Sequence, residues 1–292
     1  MTTSAAPSQR RAPSGLALVA VAAVLWAFIG LFTPELLDLG LSAVEIGFWR
    51  ALLAGVVFVL HAGLRGGLRV RDRRDAGGLV VFGAVAVGLF YVALAAAIEH
   101  GGVSLAWILL YTAPAWVAVG AATLLREHVD AVRWSLVAAT VAGVVLVAVG
   151  GGDGVTVTVA SVAWGLAAGW SYSTWYLAGK RLLDRYAPVT ISAWILVTGA
   201  VVLLPFTPFR ALPPRAWLLL AGLALVSTYL PALAYYSGLA TVDASRAAIV
   251  ATVEPVVALG IGVLVADERL SATAVAGGAV VLAAATVASA RR

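Results

Sequence analysis

The sequence of 292 residues contains no cysteine, one lysine and three histidines. Without cysteine the chain can form no disulfide bond, thiolate nucleophile or cysteine-ligated metal site. Charged residues are also scarce: they make up 11% of the chain, whereas hydrophobic residues make up 62%. A soluble domain carries roughly a quarter charged residues, and the mean hydropathy here is +1.02. The composition therefore predicts a membrane protein, with the lipid bilayer as its surroundings.

Signatures of enzymes and of ATP-driven pumps are missing as well. The histidines, His61, His100 and His128, fall at predicted membrane edges and belong to no His, Asp and Glu cluster with metal-ligand spacing. The segment GWSY at 169–172 resembles the serine motif of an intramembrane protease, but such a serine needs a base within reach. No Walker-type phosphate loop is present. We therefore expect no enzymatic activity, metal or cofactor, and gradients as the energy source of any transport.

Long apolar runs dominate the chain, separated by short polar breaks. Runs of about twenty residues match a helix that crosses a bilayer and exceed the nine to eleven residues of a membrane β-strand, and the alternating pattern of a β-barrel is missing. A backbone in lipid must satisfy its own hydrogen bonds, which favours helices. The sequence therefore predicts an all-α membrane protein with ten transmembrane helices, at 15–33, 43–63, 77–97, 103–124, 131–149, 158–179, 188–205, 215–237, 244–265 and 271–290.

The basic residues predict the orientation of these helices. With a cytoplasmic N-terminus, fourteen Lys and Arg residues fall in cytoplasmic segments, against Arg210, Arg215 and Arg269 on the outside. Cytoplasmic loops of membrane proteins carry an excess of Lys and Arg, so we expect both termini in the cytoplasm and the chain in the cytoplasmic (inner) membrane. The net charge of +5 then reflects loop charges rather than binding to nucleic acid, and residues 1–14 are expected to form a disordered cytoplasmic tail.

The two halves of the chain echo each other at a distance of 141 residues. Three pairs of identical residues stand at this distance: Ser104 and Ser245, Pro114 and Pro255, Glu127 and Glu268. We interpret the echo as a duplication, with a first five-helix repeat at 15–150 and a second at 151–292. Because each repeat has an odd number of helices, the second enters the membrane in the opposite orientation. Inverted repeats are typical of secondary transporters, which bind substrate at the midplane between the halves.

Glu254 is the strongest functional candidate, because it lies in the middle of an apolar run. An ionised side chain at a helix centre costs roughly 2.5 to 3.5 kcal/mol on insertion scales, so such residues usually face a cavity or a partner. Two interpretations stay open. Glu254 either takes up a proton or binds a cationic group of a substrate, or it is a structural residue that caps carbonyls freed by a helix kink. The first half has Ala113 at the matching position.

Three prolines, Pro114, Pro231 and Pro255, lie inside predicted helices and are candidate kinks or hinges. Each lacks an amide hydrogen and leaves a carbonyl four residues earlier without its helical donor. These carbonyls belong to Leu110, Ser227 and Ala251. Proline is common in spanning helices, but the pairing of Pro114 with Pro255 predicts two kinked helices at symmetric depth.

Arg50 and deep aromatic residues complete the predicted substrate cavity. Arg50 either binds substrate or extends toward the outer membrane surface, as long basic side chains near an interface do. Interfacial belts account for many membrane Trp and Tyr residues, but those deeper in the spans are better placed to line a cavity for an amphipathic metabolite. Besides Glu254 and Arg50, the cavity residues that we predict are Tyr91, Trp107, Tyr111, Trp164, Ser171, Trp175 and Tyr235.

Two segments carry a resemblance to a known family: YVALAAAIEHGGVSLAWILLYTAPAWVAVGAATLLREHV at 91–129 and YYSGLATVDASRAAIVATVEPVVALGIGVLVADERL at 235–270. They resemble the paired EamA repeats of the drug/metabolite transporter superfamily, in which an acidic turn follows a mid-helix proline. The matches here are Pro114 with Glu127, and Pro255 with Glu268 and the Arg and Leu after it. The first copy departs from the pattern, since it reads REHV at 126–129, which implies functional asymmetry between the halves.

The resemblance implies ten helices in two inverted five-helix repeats, a central cavity and alternating access, often for export of amino acids, other metabolites or drugs. Our leading hypothesis is a secondary transporter that exports a small amphipathic metabolite such as an amino acid, with coupling to protons and the oligomeric state left open. The alternatives are an uncoupled facilitator of the same fold and a non-transporting membrane scaffold. Polar residues at the midplane favour transport, since a scaffold has no need of them.

Overall fold

A computed structural model describes residues 14–65, 67–150, 157–266 and 271–290. These residues are helical apart from short connections and contain no β-strand. We number the helical segments in chain order: α1 (Gly15–Asp38), α2 (Ala43–Leu64), α3 (Arg73–Gly101, with a π-helical stretch at Ala84–Leu89), α4 (Val103–Leu110 and Ala113–Gly120, continued by a π-helical turn at Ala121–Leu125), α5 (Ala131–Gly150), α6 (Val159–Leu183), α7 (Pro188–Leu203), α8 (Pro214–Leu239, with a π-helical stretch at Leu225–Tyr229), α9 (Ala244–Ala251 and Val253–Ala266) and α10 (Ala272–Ala290).

Within the described residues, six segments are long and apolar enough to cross a membrane by length and composition. They are α1, α2, α3, the greater part of α4, α7 with the short turn that follows it, and α8. The apolar stretches of α5 and α10 are shorter, at Ala131–Leu146 and Val275–Ala288. The all-helical architecture is thus confirmed for the described residues, whereas ten spanning helices and cytoplasmic termini stay predictions. The acidic turn at Glu268 and most of the N-terminal tail lie outside the described residues.

Local sequence decides where several helices begin. The Ser42 hydroxyl accepts a hydrogen bond from the Glu45 amide, and the Glu45 carboxylate accepts one from the Ser42 amide, which forms a capping box at the start of α2. Thr158 and Ser161 form the same arrangement at the start of α6. The first residue of both α7 and α8 is a proline, whose missing amide hydrogen is not needed in the first turn of a helix.

The π-helical stretches of α3 and α8 begin 141 residues apart, at the same distance as the sequence echo. Such stretches disturb the regular backbone bonding and are frequent at functional sites. In α3 the carbonyl oxygen of Ala86 accepts a hydrogen bond of 2.8 Å from Trp175 Nε1. In α8 the matching carbonyl, that of Ser227, accepts one of 3.0 Å from Arg50 Nη2. Each half therefore donates a side chain to the π-helical stretch of the other.

Contacts between the two halves of the chain follow a symmetric pattern. Helix α1 packs on α8 and on both parts of α9, and correspondingly α6 packs on α3 and on both parts of α4. The pairs α2 with α7, α4 with α9 and α5 with α10 also contact each other. A shift of five helices along or back in the chain converts the contacts of α1 into those of α6 and maps each of these three pairs onto itself. This pattern is the one expected of two structurally related halves.

Glycine residues let α6 approach the middle of α4 closely. A Cβ atom at Gly165 would lie 2.5 Å from Leu109 Cδ1, and one at Gly169 would lie 2.7 Å from the Leu109 carbonyl oxygen. Contacts of this length are too short for a side chain, so only glycine fits at either position. Small residues at such contacts are typical of helix packing in membranes. The interrupted part of α4 is therefore held directly against α6.

Four connections lie at one end of the bundle: those between α2 and α3, α4 and α5, α6 and α7, and α8 and α9. Lys180, near the end of α6, donates hydrogen bonds to carbonyl oxygens at the C-terminal end of α8, and Arg181 donates one to the last turn of α4. Arg185, in the α6–α7 connection, pairs with Asp75 at the start of α3 at 2.5 Å. We call this the arginine-rich end.

A polar network joins the two halves at the arginine-rich end. The Glu127 carboxylate accepts hydrogen bonds from the amides of Ala244 and Ser245, at 2.8 and 3.3 Å, and from the Ser245 hydroxyl at 3.0 Å. Arg133 pairs with Asp243 at 2.7 Å and donates to the Ser245 hydroxyl at 3.3 Å. A carboxylate at the N-terminus of α9 is also favoured by the helix dipole. We call Glu127, Arg133, Asp243 and Ser245 the interhalf network.

Candidate functional site

An interruption of α9 places Glu254 inside the protein. The helix breaks at Thr252, whose hydroxyl and amide both donate to the Ile249 carbonyl, at 2.5 and 3.3 Å. It resumes at Val253, and Pro255 cannot supply the amide that would continue the first part. Glu254 is 8% exposed, and its carboxylate forms no hydrogen bond or ion pair with any residue that the structure describes. A buried carboxylate is thus left available for a further partner.

Helix α4 is interrupted at the corresponding place. The hydroxyl and the amide of Thr112 donate to the Leu109 carbonyl, at 2.6 and 3.2 Å. Pro114 follows this break, just as a proline follows the break in α9. The two halves therefore share the interruption, but they differ in charge, because Ala113 stands where the second half has Glu254.

Glu254 lies within electrostatic range of one basic and four phenolic side chains, contributed by both halves of the chain. Its carboxylate interacts electrostatically with the guanidinium of Arg50, in α2, although the two groups are not in ion-pair contact. It interacts in the same way with four tyrosine hydroxyls from α3, α4 and α6, those of Tyr91, Tyr111, Tyr172 and Tyr176. We call these six residues the Glu254 cluster.

Arg50 is anchored by α8 and directed into the protein. Its Nε donates to the Thr228 hydroxyl at 3.1 Å and its Nη2 to the Ser227 carbonyl at 3.0 Å. The Thr228 hydroxyl donates in turn to the Leu223 carbonyl at 3.0 Å. The guanidinium carbon lies 5.4 Å from the ring centre of Tyr91, within the range of a cation–π contact. Arg50 is buried, so its side chain does not extend toward the membrane surface.

Two of the other predicted cavity residues join the Glu254 cluster through ring contacts. Trp107 stacks on Tyr111, with ring centres 5.8 Å apart. Tyr235, in α8, contacts Tyr176 at 5.3 Å, and its hydroxyl is buried without a hydrogen-bond partner. Aromatic rings at these distances pack favourably. The cluster therefore continues into apolar walls on the α4 side and on the α8 side.

Three predicted residues of α6 are placed differently from one another. Ser171 is buried, and its hydroxyl has no hydrogen-bond partner. Trp175 donates to the π-helical stretch of α3 and stacks on Tyr236 with ring centres 5.7 Å apart. Trp164 is 37% exposed, and none of the ring contacts among the described aromatic residues includes it. The structure thus brings Trp175 into the interior packing and leaves Trp164 apart from the Glu254 cluster.

Sequence reasoning missed Tyr172, Tyr176 and Thr228. The two tyrosines are four residues apart and therefore share a face of α6, one residue along from the face of Ser171 and Trp175 that the prediction selected. The spacing of these two tyrosines could have indicated that this neighbouring face of α6 also lines the cavity. Thr228 had no comparable signal, because its importance comes from Arg50, which is distant in the sequence.

An apolar groove of about 500 Å³ lies between α1, α9 and α10. It is lined by Ala20, Val250, Val253, Leu282, Ala285, Thr286 and Ala290. None of the predicted cavity residues lines it, so the groove is separate from the Glu254 cluster. Within the described parts of the chain, no group of three His, Asp or Glu side chains is arranged to hold a metal ion.

Comparison with known proteins finds two matches to one family along this chain. The model of the EamA-like transporter family matches residues 13–149 and again residues 159–290. The chain is 28% identical to an uncharacterized transporter of Archaeoglobus fulgidus over 92% of this chain and 94% of the relative. It is 25% identical to the uncharacterized inner membrane transporter YicL of Salmonella typhimurium over 82% of this chain and 83% of the relative.

Two further similarities concern a named substrate and the fold. The chain is 28% identical to a protein of Streptantibioticus cattleyicolor named "Probable terminal-alkyne amino-acid exporter", over 58% of this chain and 56% of the relative. A solved structure described only as a crystal structure of a protein superposes with a TM-score of 0.82, over 94% of this chain and 96% of that chain. Its sequence identity is 17%, so this likeness shows a shared fold.

Proposed function

We propose that this chain, which belongs to the EamA-like transporter family, exports a small amphipathic metabolite such as an amino acid across the cytoplasmic membrane. Relatives over most of its length are named as transporters, so the chain is a multi-pass membrane transporter and not an enzyme. The observation that carries the finer proposal is the Glu254 carboxylate, buried between the halves, unpartnered among the described residues and facing Arg50.

The chemistry of the Glu254 cluster suits a substrate with charges of both signs. Glu254 can bind a cationic group, and Arg50 can bind an anionic one. A guanidinium has five N–H donors, and two of those of Arg50 bond to Thr228 and Ser227, so three remain for a carboxylate. The tyrosine and tryptophan rings around the pair then provide an apolar wall for the rest of the substrate. The name of the amino-acid exporter relative agrees with this class.

Two inverted five-helix repeats, at 15–150 and 151–292, are the architecture that we propose for transport. The two matches to the family, the paired helix breaks, the paired π-helical stretches and the symmetric contacts between halves all support it. An odd number of helices in each repeat makes the second enter the membrane in the opposite orientation. The excess of basic residues at the arginine-rich end supports placing that end, and both termini, in the cytoplasm.

Alternating access would then consist of the two halves rocking about the Glu254 cluster. In the present structure the interhalf network joins the α4–α5 connection and the start of α5 to the start of α9, at the arginine-rich end. We propose that this network closes the cytoplasmic side and that it separates when the site opens toward the cytoplasm. Glu254 is positioned to exchange a proton for substrate as the two halves move.

Counterflow into liposomes tests the proposal. The purified full-length chain is reconstituted, loaded with one unlabelled compound at a time from a panel of amino acids and other amphipathic metabolites, and supplied with the labelled compound outside. We expect accumulation above that of empty liposomes for at least one compound. The substitution Glu254→Ala should abolish it, whereas Glu35→Ala, which removes an exposed glutamate paired with Arg215, should not. A panel without any exchange would contradict transport and favour the scaffold alternative.

A further inference from the structure

Five arginines stand close together around the α2–α3 connection: Arg65, Arg69, Arg71, Arg73 and Arg74. All five are exposed, and their guanidinium groups form no hydrogen bond or ion pair with any residue in the described ranges. We call this group the arginine platform. It concentrates positive charge on a short stretch of surface.

The rest of the described chain uses arginine differently. Seven of the eight other arginines that the structure describes bond to the protein itself: Arg50, Arg133, Arg181, Arg185, Arg210, Arg215 and Arg246. Arg126 is the eighth. Loop position alone therefore does not explain the free guanidinium groups of the platform, since Arg133, Arg181 and Arg185 lie at the same end of the bundle.

The backbone of the platform is held in place by residues of the second half. The Thr190 hydroxyl donates to the Gly67 carbonyl at 2.5 Å, and the Arg71 amide donates to the Tyr186 hydroxyl at 3.1 Å. Trp194 Nε1 donates to the Leu68 carbonyl at 3.4 Å. The arginine side chains thus project from a fixed surface rather than from a loop without contacts.

The acidic residues of the same stretch, Asp72 and Asp75, lie against Arg185 and form no ion pair with the five arginines. Asp75 is buried, pairs with Arg185 at 2.5 Å and accepts a hydrogen bond from the Tyr186 hydroxyl. Burial and this hydrogen bond raise the pKa of Tyr186. Asp72 accepts from the Asp75 amide at 2.8 Å and lies 3.9 Å from Arg185. Within the described ranges, the five guanidinium groups are therefore not neutralised by an ion pair.

The platform lies where a membrane-crossing helix ends. Helix α2 is long and apolar enough to span a bilayer, and its last residue, Leu64, is 90% exposed. Leu68 is also exposed, between the first two arginines. Exposed arginines and exposed leucines that alternate along this stretch match a lipid, whose charged headgroup joins apolar chains. Arginine binds phosphate through parallel N–H donors, and basic clusters next to a spanning helix attract anionic lipids.

We propose that the arginine platform binds the headgroups of anionic phospholipids of the surrounding bilayer, with Leu64 and Leu68 against their acyl chains. The platform lies outside the Glu254 cluster, and lipid binding there does not depend on what the chain transports.

Native mass spectrometry of the full-length chain tests this proposal. The protein in detergent micelles is titrated with phosphatidylglycerol or with phosphatidylcholine of the same acyl chains, and the bound lipids are counted. We expect tighter binding of phosphatidylglycerol. Each basic residue near a surface contributes roughly a fivefold gain in affinity for anionic lipid, so Arg69→Gln/Arg73→Gln/Arg74→Gln should weaken phosphatidylglycerol binding by at least about tenfold.

The control is Arg126→Gln/Arg181→Gln/Arg215→Gln, which removes the same charge from other exposed positions and should leave phosphatidylglycerol binding within about twofold of the unchanged chain. Equal loss in the two triple variants would overturn the proposal, and so would equal binding of the two lipids by the unchanged chain. Displacement of bound phosphatidylglycerol by soluble glycerol phosphate at equal concentration would also overturn it, because the site would then recognise the free anion alone.

Discussion

Arg50 Nη2 donates a hydrogen bond of 3.0 Å to the carbonyl oxygen of Ser227, which lies four residues before Pro231, a residue without an amide hydrogen to donate. The contact joins α2 of the first half to α8 of the second, and it holds the guanidinium within electrostatic range of Glu254. A backbone defect in one half thus orients a charged side chain of the other. The position of Arg50 is therefore set by the irregular part of α8.

The Thr228 hydroxyl should matter for transport through Arg50. The substitution Thr228→Val removes the acceptor of the Arg50 Nε bond while it keeps the branched shape. A hydrogen bond to a charged group is worth about 1.5 to 3 kcal/mol, so we expect the KM of exchange to rise about tenfold or more. Thr228→Ser keeps the hydroxyl and should stay close to the unchanged chain. Counterflow kinetics with a substrate from the panel measure both, and equal KM values for the two variants would rule out this role.

Glu254 should couple transport to protons. The substitution Glu254→Gln keeps the size and hydrogen-bonding atoms of the side chain but cannot gain or lose a proton. We therefore expect uptake driven by a pH gradient to fall to the level of empty liposomes, while substrate exchange without a gradient persists. Parallel assays on one preparation, with and without the gradient, separate the two. If the pH dependence of the variant matches that of the unchanged chain, Glu254 is not the coupling residue, and an uncoupled facilitator gains support.

The interhalf network should control opening of the arginine-rich end. The chain contains no cysteine, so spin labels can be placed by His128→Cys and Ala240→Cys, two exposed positions on either side of the network. We expect one short distance between the labels in the otherwise unchanged chain. Glu127→Gln/Arg133→Gln should add a second, longer distance, because it removes both charged contacts to the start of α9. Pulsed electron paramagnetic resonance measures these distance distributions.

A matched variant controls this measurement. The double substitution Glu35→Gln/Arg215→Gln removes another Glu and Arg pair, which joins α1 to α8, and it should leave the distances at the arginine-rich end unchanged. Glu127→Gln by itself keeps one acceptor oxygen and should give a smaller long-distance population. If the double variant of the network keeps the single short distance, the interhalf network does not control opening of the arginine-rich end. Transport is not needed for this readout, so its result is separate from that of the counterflow panel.

Lys180, the one lysine in the chain, should stabilise the C-terminal end of α8. Its Nζ donates to the carbonyls of Leu239 and Val242, at 2.8 and 2.7 Å. The substitution Lys180→Met keeps the apolar stem but leaves these carbonyls without a donor, which should cost about 1 to 3 kcal/mol of unfolding free energy. Thermal unfolding in detergent should therefore show a lower midpoint. Arg126→Met, at an exposed position, is the control, and an equal midpoint for the two variants would show that the Lys180 bonds add no stability.

Much of the fold and part of the site could be predicted from the sequence. The resemblance to EamA repeats is confirmed by the two matches of the family along the chain. The sequence marked Pro114 and Pro255 as candidate kinks, because proline has no amide hydrogen for a helical bond. The structure interrupts α4 and α9 next to these two prolines, whereas α8 continues through Pro231. The burial of Glu254 could be expected too, since an acid in the middle of a long apolar run has little access to water.

Residues that act through partners far along the chain could not be predicted in this way. The sequence predicted that Pro231 frees the Ser227 carbonyl. It did not show that Arg50 would donate a hydrogen bond to this carbonyl, because Arg50 and Ser227 are 177 positions apart. The same limit applies to Tyr172 and Tyr176, which join Glu254 only once α6 packs against the break in α4. The rotation of α6 about its axis decides which face meets that break, and its sequence offers aromatic residues on more than one face.

The sequence by itself determined that this protein is a helical membrane protein of this family, because hydropathy acts locally along the chain. Only the tertiary structure decided that the Glu254 carboxylate has no partner among the described residues and that Arg50 is buried. It also decided that five arginines at one end form no bond within the described ranges, while Arg133, Arg181 and Arg185 do. The physical reason is that each of these outcomes depends on which helices pack together. Helix packing depends on contacts between the two halves, whose residues are too far apart in the sequence for a local pattern to predict.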